Sequence, residues 1–188
     1  MRLLVIMALF AFAYDLHAQG EYEPSSEFPF GRLNPEAPKE VGDWEQLIGQ
    51  SSCLSISRNP DGTWQDTVKM VWVFKYVLDG TSVQDLTFKE DGKHATSMRQ
   101  YIPDSAKWYV TYFSRFSPSA APGVWAGRRQ ENGDIVLFQD QLAPNGMEGK
   151  SQLTFANISD SGFDWFGAWV SIDNTITWPF WNIHCKRE

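Results

Sequence analysis

Histidine and cysteine are scarce in this chain, with three and two residues respectively among 188. A structural zinc site needs four clustered nitrogen or sulfur donors at set spacings, and no such cluster is written here. Gly-x-Ser-x-Gly, His-Glu-x-x-His and Gly-rich phosphate loops are all missing, so the common hydrolase and nucleotide signatures do not apply. Positive charge is also short. Lys and Arg number 16 against 23 Asp and Glu, a net −7, which argues against nucleic acid or an anionic membrane as the main partner. After residue 14 no apolar run approaches the roughly 18 residues that a spanning helix needs, so no stable membrane span is expected. The chain is instead rich in large rings: nine Trp, 13 Phe and six Tyr. With 43% hydrophobic residues it is expected to fold as one domain with a sizeable core.

Residues 1–18 have the form of a secretory signal peptide. Arg2 supplies the charged start, Leu3 to Tyr14 an apolar stretch too short for a membrane anchor, and Ala18 a small residue for cleavage. Export to a periplasmic or extracellular space follows as an expectation, and with it an oxidising environment in which Cys53 and Cys185 pair. Residues 19–42 carry Pro24, Pro29, Pro35 and Pro38 without periodicity and read as an extended segment lying across the domain. A short helical turn is expected between Asp43, as its cap, and Gly49.

From residue 50 the texture is that of a sheet. Turn signals recur about every ten residues: Asn59–Gly62, Asp79-Gly80, Asp91-Gly92, Pro103-Asp104, 117–123, Asn132-Gly133, Pro144–Gly146, Asp160–Gly162 and Asp173-Asn174. Between them apolar residues alternate. Val68, Met70, Trp72, Phe74 and Tyr76 share one face; Trp108, Val110, Tyr112 and Phe116 share another; so do Phe163, Trp165 and Trp169. Nine turns and ten strands with no intervening helix predict an all-β, antiparallel up-and-down barrel over 43–188, with a sandwich as the other choice. The cysteines favour the barrel. Closure sets the first strand beside the last, and Cys53 and Cys185 lie on those two strands.

The motifs Leu78-Asp79-Gly80, Arg99-x-Tyr101 with Trp108, Phe155-x-x-Ile158-Ser159, Phe163-x-Trp165 and Ser171-x-Asp173 with Thr177-Trp178 are similar to lipocalin-like domains of the calycin superfamily. The resemblance is strongest to a bacterial family without an assigned function. The first-strand Gly-x-Trp of true lipocalins is absent, since Ser51 follows Gly49 by two positions. The resemblance implies a small barrel with an internal cavity and carries no reaction, because function resides in the site.

Trp72, Tyr112, Trp165 and Trp169 are candidates to line that cavity, against the alternative that the rings simply fill the core. Arg99 and Tyr101 share a strand face and together suit a carboxylate or hydroxyl head; the alternative is that Arg99 pairs with Asp85 on the neighbouring strand. One of Arg128 and Arg129 faces inward. His94 is expected in solvent. His184 points into the barrel if the disulfide lies on the outer wall, where it would occupy the place of the iron-ligating histidine of nitrobindin-type barrels. The rest of that family's motif is absent, so no cofactor and no metal are expected. The functional expectation is an exported protein that holds a small apolar molecule in the barrel. The rival readings are a non-hydrolytic enzyme using acid–base groups in the same cavity, and an interaction module with a filled barrel.

Overall fold

The computed structural model describes residues 20–188; the expected signal peptide lies outside the described residues. Ten strands form one closed antiparallel barrel. They are β1 (Gly49–Ser57), β2 (Val68–Val77), β3 (Ser82–Lys89), β4 (Ala95–Ile102), β5 (Lys107–Ser114), β6 (Val124–Arg129), β7 (Ile135–Asp140), β8 (Gly149–Ser159), β9 (Gly162–Ser171) and β10 (Thr177–Arg187). Each pairs with its chain neighbours, and β1 closes on β10. Eight of the nine turn signals fall between strands, and the other, Asp160–Gly162, runs into the first residue of β9. At the β2–β3 corner, Leu78, Asp79 and Gly80 all adopt positive φ, and Asp79-Gly80 supplies residues that tolerate it.

The alternation places Met70, Trp72, Phe74 and Tyr76 inside, with Trp108 and Val110 from β5 and Phe163 and Trp165 from β9. Phe116 falls beyond β5 and is exposed, so it does not share the inner face. The expected helical turn is a 3-10 helix spanning Lys39–Leu47. It begins earlier than expected, and Asp43 lies within it instead of capping it.

That helix stoppers one end of the barrel. Trp44 is fully buried and packs edge-on to Trp108 at 5.7 Å and Phe155 at 5.0 Å, and stacks on Phe74 at 6.3 Å. Offset and edge-to-face pairs of this kind add to the stabilisation from burial alone. The N-terminal segment binds the outside of the same end. Tyr22 N donates to Asp79 Oδ1 at 3.0 Å, Asn34 Nδ2 donates to Asp79 O at 3.1 Å, and Tyr76 N donates to Phe30 O at 2.8 Å.

Asp43 links stopper and wall, its carboxylate accepting from Trp108 Nε1 at 3.0 Å. Burial raises its pKa, and the Trp108 hydrogen bond and Arg129 only partly oppose that. Asp43→Asn keeps an acceptor for the indole and removes the charge that burial disfavours. It is expected to leave the melting temperature at pH 7 unchanged or higher. Asp43→Ala orphans the indole N–H and is expected to cost about 1–2 kcal/mol. Thermal melts of both variants at pH 5 and 7 check this. With its pKa raised in the fold, the native Asp43 binds protons more tightly folded than unfolded. The gap between the native chain and Asp43→Asn is therefore expected to shrink as pH falls.

Cys53 and Cys185 sit directly opposite in the β1–β10 register and form a disulfide with Cα atoms 4.1 Å apart. Both are buried and share the inner face of the seam with Ser51, Ser55 and Ile183. The condition under which His184 would face the barrel, a disulfide on the outer wall, is therefore not met. Leu54 and His184 point outward, and each is more than half exposed. The reason is volume: β1 turns its small side chains inward beside Trp72, Trp165 and Trp181, and Trp181 Nε1 donates to Ser55 Oγ at 2.8 Å.

Candidate functional site

The barrel interior has two halves. The stoppered half is solid, with Trp44, Phe74, Trp108, Phe155 and Phe163 in mutual ring contact. The other half holds a cavity of about 160 Å³ that opens toward the far end. Lined cavity and filled core are therefore both present, stacked along one axis.

The floor is built from β3 and β4. Asp85 and Arg99 are almost fully buried, and Arg99 Nη2 donates to Asp85 Oδ2 at 2.5 Å. The other carboxylate oxygen accepts the Ser97 backbone N–H at 2.8 Å. Both Asp85 oxygens are thus occupied. The guanidinium lies over Trp44 at 4.6 Å and Phe74 at 4.9 Å, a cation–π contact on the stopper itself. Two of its nitrogens, Nε and Nη1, are buried with no hydrogen-bond partner, and so is Trp72 Nε1. Both residues line the cavity. Buried donors without acceptors cost about 1–3 kcal/mol each, so this floor is donor-rich and acceptor-poor by construction.

The walls are apolar, from residues such as Val110, Leu137, Leu153 and Phe155. The upper wall and rim carry Tyr112, Trp125 and Trp181 with Lys89 and Lys93. Burial chiefly raises the Tyr112 phenol pKa, with the Asp85 charge adding and the Ser114 hydroxyl opposing. Trp125 is anchored by donating Nε1 to Ser151 Oγ at 3.1 Å and meets Tyr112 edge-on.

Of the residues singled out in the sequence, Arg99, Asp85, Trp72, Tyr112 and Trp165 come together at this cavity. Tyr101 shares the inner face with Arg99 but sits toward the stopper, edge-on to Trp108 at 5.5 Å. Its pKa is raised, first by desolvation and then by Glu40 and Asp43. Trp169 lies off the cavity and donates Nε1 to Gln141 O at 2.9 Å. A cavity-facing His184 is corrected. It is on the outer wall, with Nδ1 2.7 Å from Asp164 Oδ1. Burial alone would raise the Asp164 pKa, but hydrogen bonds from Asn157 and His184 more than reverse this. His94 is only half exposed, and its Nδ1 accepts the Lys89 backbone N–H at 3.2 Å. Arg129 proves the inward one of the arginine pair, donating to Asp43 O at 3.2 Å, while Arg128 is exposed.

Lys89, Trp125 and Trp181 were missed. Lys89 carried a signal, since it continues the face that holds Asp85 and Thr87. Among the described residues no group of three or more His, Cys, Asp or Glu side chains gathers as a metal site, and no helix is long and apolar enough to cross a membrane.

No family model and no curated protein matches the chain. Among solved structures it is similar to the S-type phycobiliprotein lyase CPES from Guillardia theta, with a TM-score of 0.51 at 12% identity over 77% of this chain and 90% of that one. At that identity the likeness is one of fold alone, which in this chain is a closed antiparallel barrel of ten strands.

Proposed function

We propose that this is an exported, lipocalin-like binding protein that holds a small apolar molecule in the open half of the barrel. The molecule turns an acceptor oxygen toward Arg99. One observation carries the reading: a buried arginine whose Nε and Nη1 have no hydrogen-bond partner lines a cavity with largely apolar walls. A ligand oxygen on Arg99 would offset the cost of leaving buried donors unpaired. An apolar cavity of about 150 Å³ accepts a benzene, so the ligand body is of single-ring size. Binding is favoured over catalysis because Asp85 has both oxygens engaged and Tyr101 is off the cavity, which withdraws two acid–base groups from it. Lyase activity is the structural neighbour's.

Two measurements test the reading. A native mass spectrum of the protein secreted by a bacterial host is expected to show an excess mass that vanishes on denaturation. In calorimetry on ligand-stripped protein, acetophenone is expected to bind about tenfold more tightly than ethylbenzene, the effect of one hydrogen bond to an orphaned donor. Equal affinities would remove Arg99 from the site, and no binding of either would overturn the cavity as a ligand site.

A further inference from the structure

The charges around the cavity do not cancel. The charged side chains that line it are Asp85, Lys89, Lys93 and Arg99. Asp85 and Arg99 neutralise each other at the floor. At the rim Lys93 Nζ pairs with Asp91 at 3.0 Å. Lys89 is left over. Its side chain is 8% exposed, its Nζ is 4.0 Å from Asp91, beyond hydrogen-bond reach, and it lies 5.1 Å from the centre of the Trp181 ring. Burial lowers its pKa, with Asp91 acting against that. A lysine this deep at a strand end is unusual, because its flexible stem normally carries the ammonium out to water. Here the inward period of β3 brings it to the same cavity as Asp85 and Arg99.

The two ends offer different chemistry. The floor is electrically neutral but rich in donors, so it suits a neutral acceptor such as a carbonyl oxygen; a carboxylate there would meet Asp85. The rim sets Lys89 and Lys93 against the single Asp91 carboxylate, an excess of one positive charge in a low-dielectric setting, which suits a carboxylate. Asp85 and Lys89 are four residues apart on β3, about 13 Å of strand. That separation along the strand is of the length scale of one ring with a carbonyl and a carboxylate at opposite ends.

We propose that the ligand class is a small one-ring oxo-carboxylate, bound with its carbonyl oxygen on Arg99 at the floor and its carboxylate on Lys89 at the mouth. This rests on the binding reading above and extends it from an apolar body with one polar head to a molecule with two.

Four matched probes test it by calorimetry on the native protein: 4-acetylbenzoate, 4-ethylbenzoate, 4-isopropylacetophenone and 4-ethylcumene. They differ only in whether each end carries its oxygen. 4-Acetylbenzoate is expected to bind most tightly, and exchanging its carboxylate for isopropyl is expected to weaken binding about 10- to 100-fold. In Lys89→Met that carboxylate preference is expected to vanish while the preference for acetyl over ethyl remains, a pattern that a purely structural lysine would not produce. The proposal is overturned if isopropyl serves as well as carboxylate on the native protein, a result that needs no variant to fold. The binding reading itself survives that outcome if acetyl still beats ethyl. It falls with the proposal only if none of the four binds, which keeps the two failures apart.

Discussion

Arg99→Met is expected to destabilise the barrel by about 3–5 kcal/mol, because it leaves the Asp85 carboxylate buried without its cation. Asp85 retains the Ser97 N–H on one oxygen, but the other loses its 2.5 Å partner. The double variant Asp85→Asn, Arg99→Met removes both charges and keeps an amide oxygen for Ser97. It is expected to recover most of the loss, since a buried ion pair offsets little more than its own desolvation. The third corner, Asp85→Asn alone, leaves the guanidinium uncompensated on Trp44 and is expected to fall between native and Arg99→Met. Chemical denaturation of all four proteins checks the cycle, with an unchanged m-value as the condition for comparing midpoints. The cycle also separates structure from function. A stable double variant that no longer prefers acetophenone to ethylbenzene shows that Arg99 is kept for the ligand. A double variant that stays several kcal/mol down shows that the pair holds the wall together.

Much of this site was legible before any coordinates. Asp85 and Arg99 lie on inner faces of adjacent strands, so an ion pair between them followed from period-two reasoning and the hairpin at Asp91-Gly92. The closure seam followed from a cysteine on the first strand and one on the last. The sequence left the inner face of β1 open. Leu54 and Ile56 are the hydrophobic residues of that strand, and hydrophobicity alone sends them inward. The barrel does the reverse, because three tryptophans from β2, β9 and β10 occupy the interior there and leave room only for serine and cysteine. Interior volume is shared among strands and cannot be read from one of them. That same inversion carried His184 outward. Lys89 escaped notice for a related reason: a lysine beside a turn reads as solvated, and only the closed wall behind Trp181 makes it buried. The Arg128–Arg129 pair shows the limit of periodicity from the other side. Adjacent residues must point apart, but the sequence does not say which way until Gly127 pairs with Leu137 and fixes the register of β6.

The disulfide is expected to contribute the other large effect. Cys53 and Cys185 are 132 residues apart, so the bridge restricts nearly the whole folded chain in the unfolded state. The chain-entropy model puts this at about 4–5 kcal/mol for so long a loop. Cys53→Ala, Cys185→Ala is therefore expected to lower the denaturation midpoint strongly while leaving the native sheet intact, since β1 and β10 remain paired over Ser51–Ser57 by backbone hydrogen bonds. Two features sharpen the test. The sulfurs face the interior beside Met70, so a reductant reaches them only when the seam opens. Reduction by a small thiol is then expected to track local opening and to slow when a ligand fills the cavity, whose lining includes Met70 and Ile183 from the strands that flank the bridge. Denaturation of the oxidised protein and the double variant, with thiol-labelling rates measured with and without acetophenone, gives both numbers. A double variant with a native midpoint would mean that the β1–β10 ladder alone secures closure. Labelling rates indifferent to acetophenone would mean that the seam opens independently of the cavity it borders.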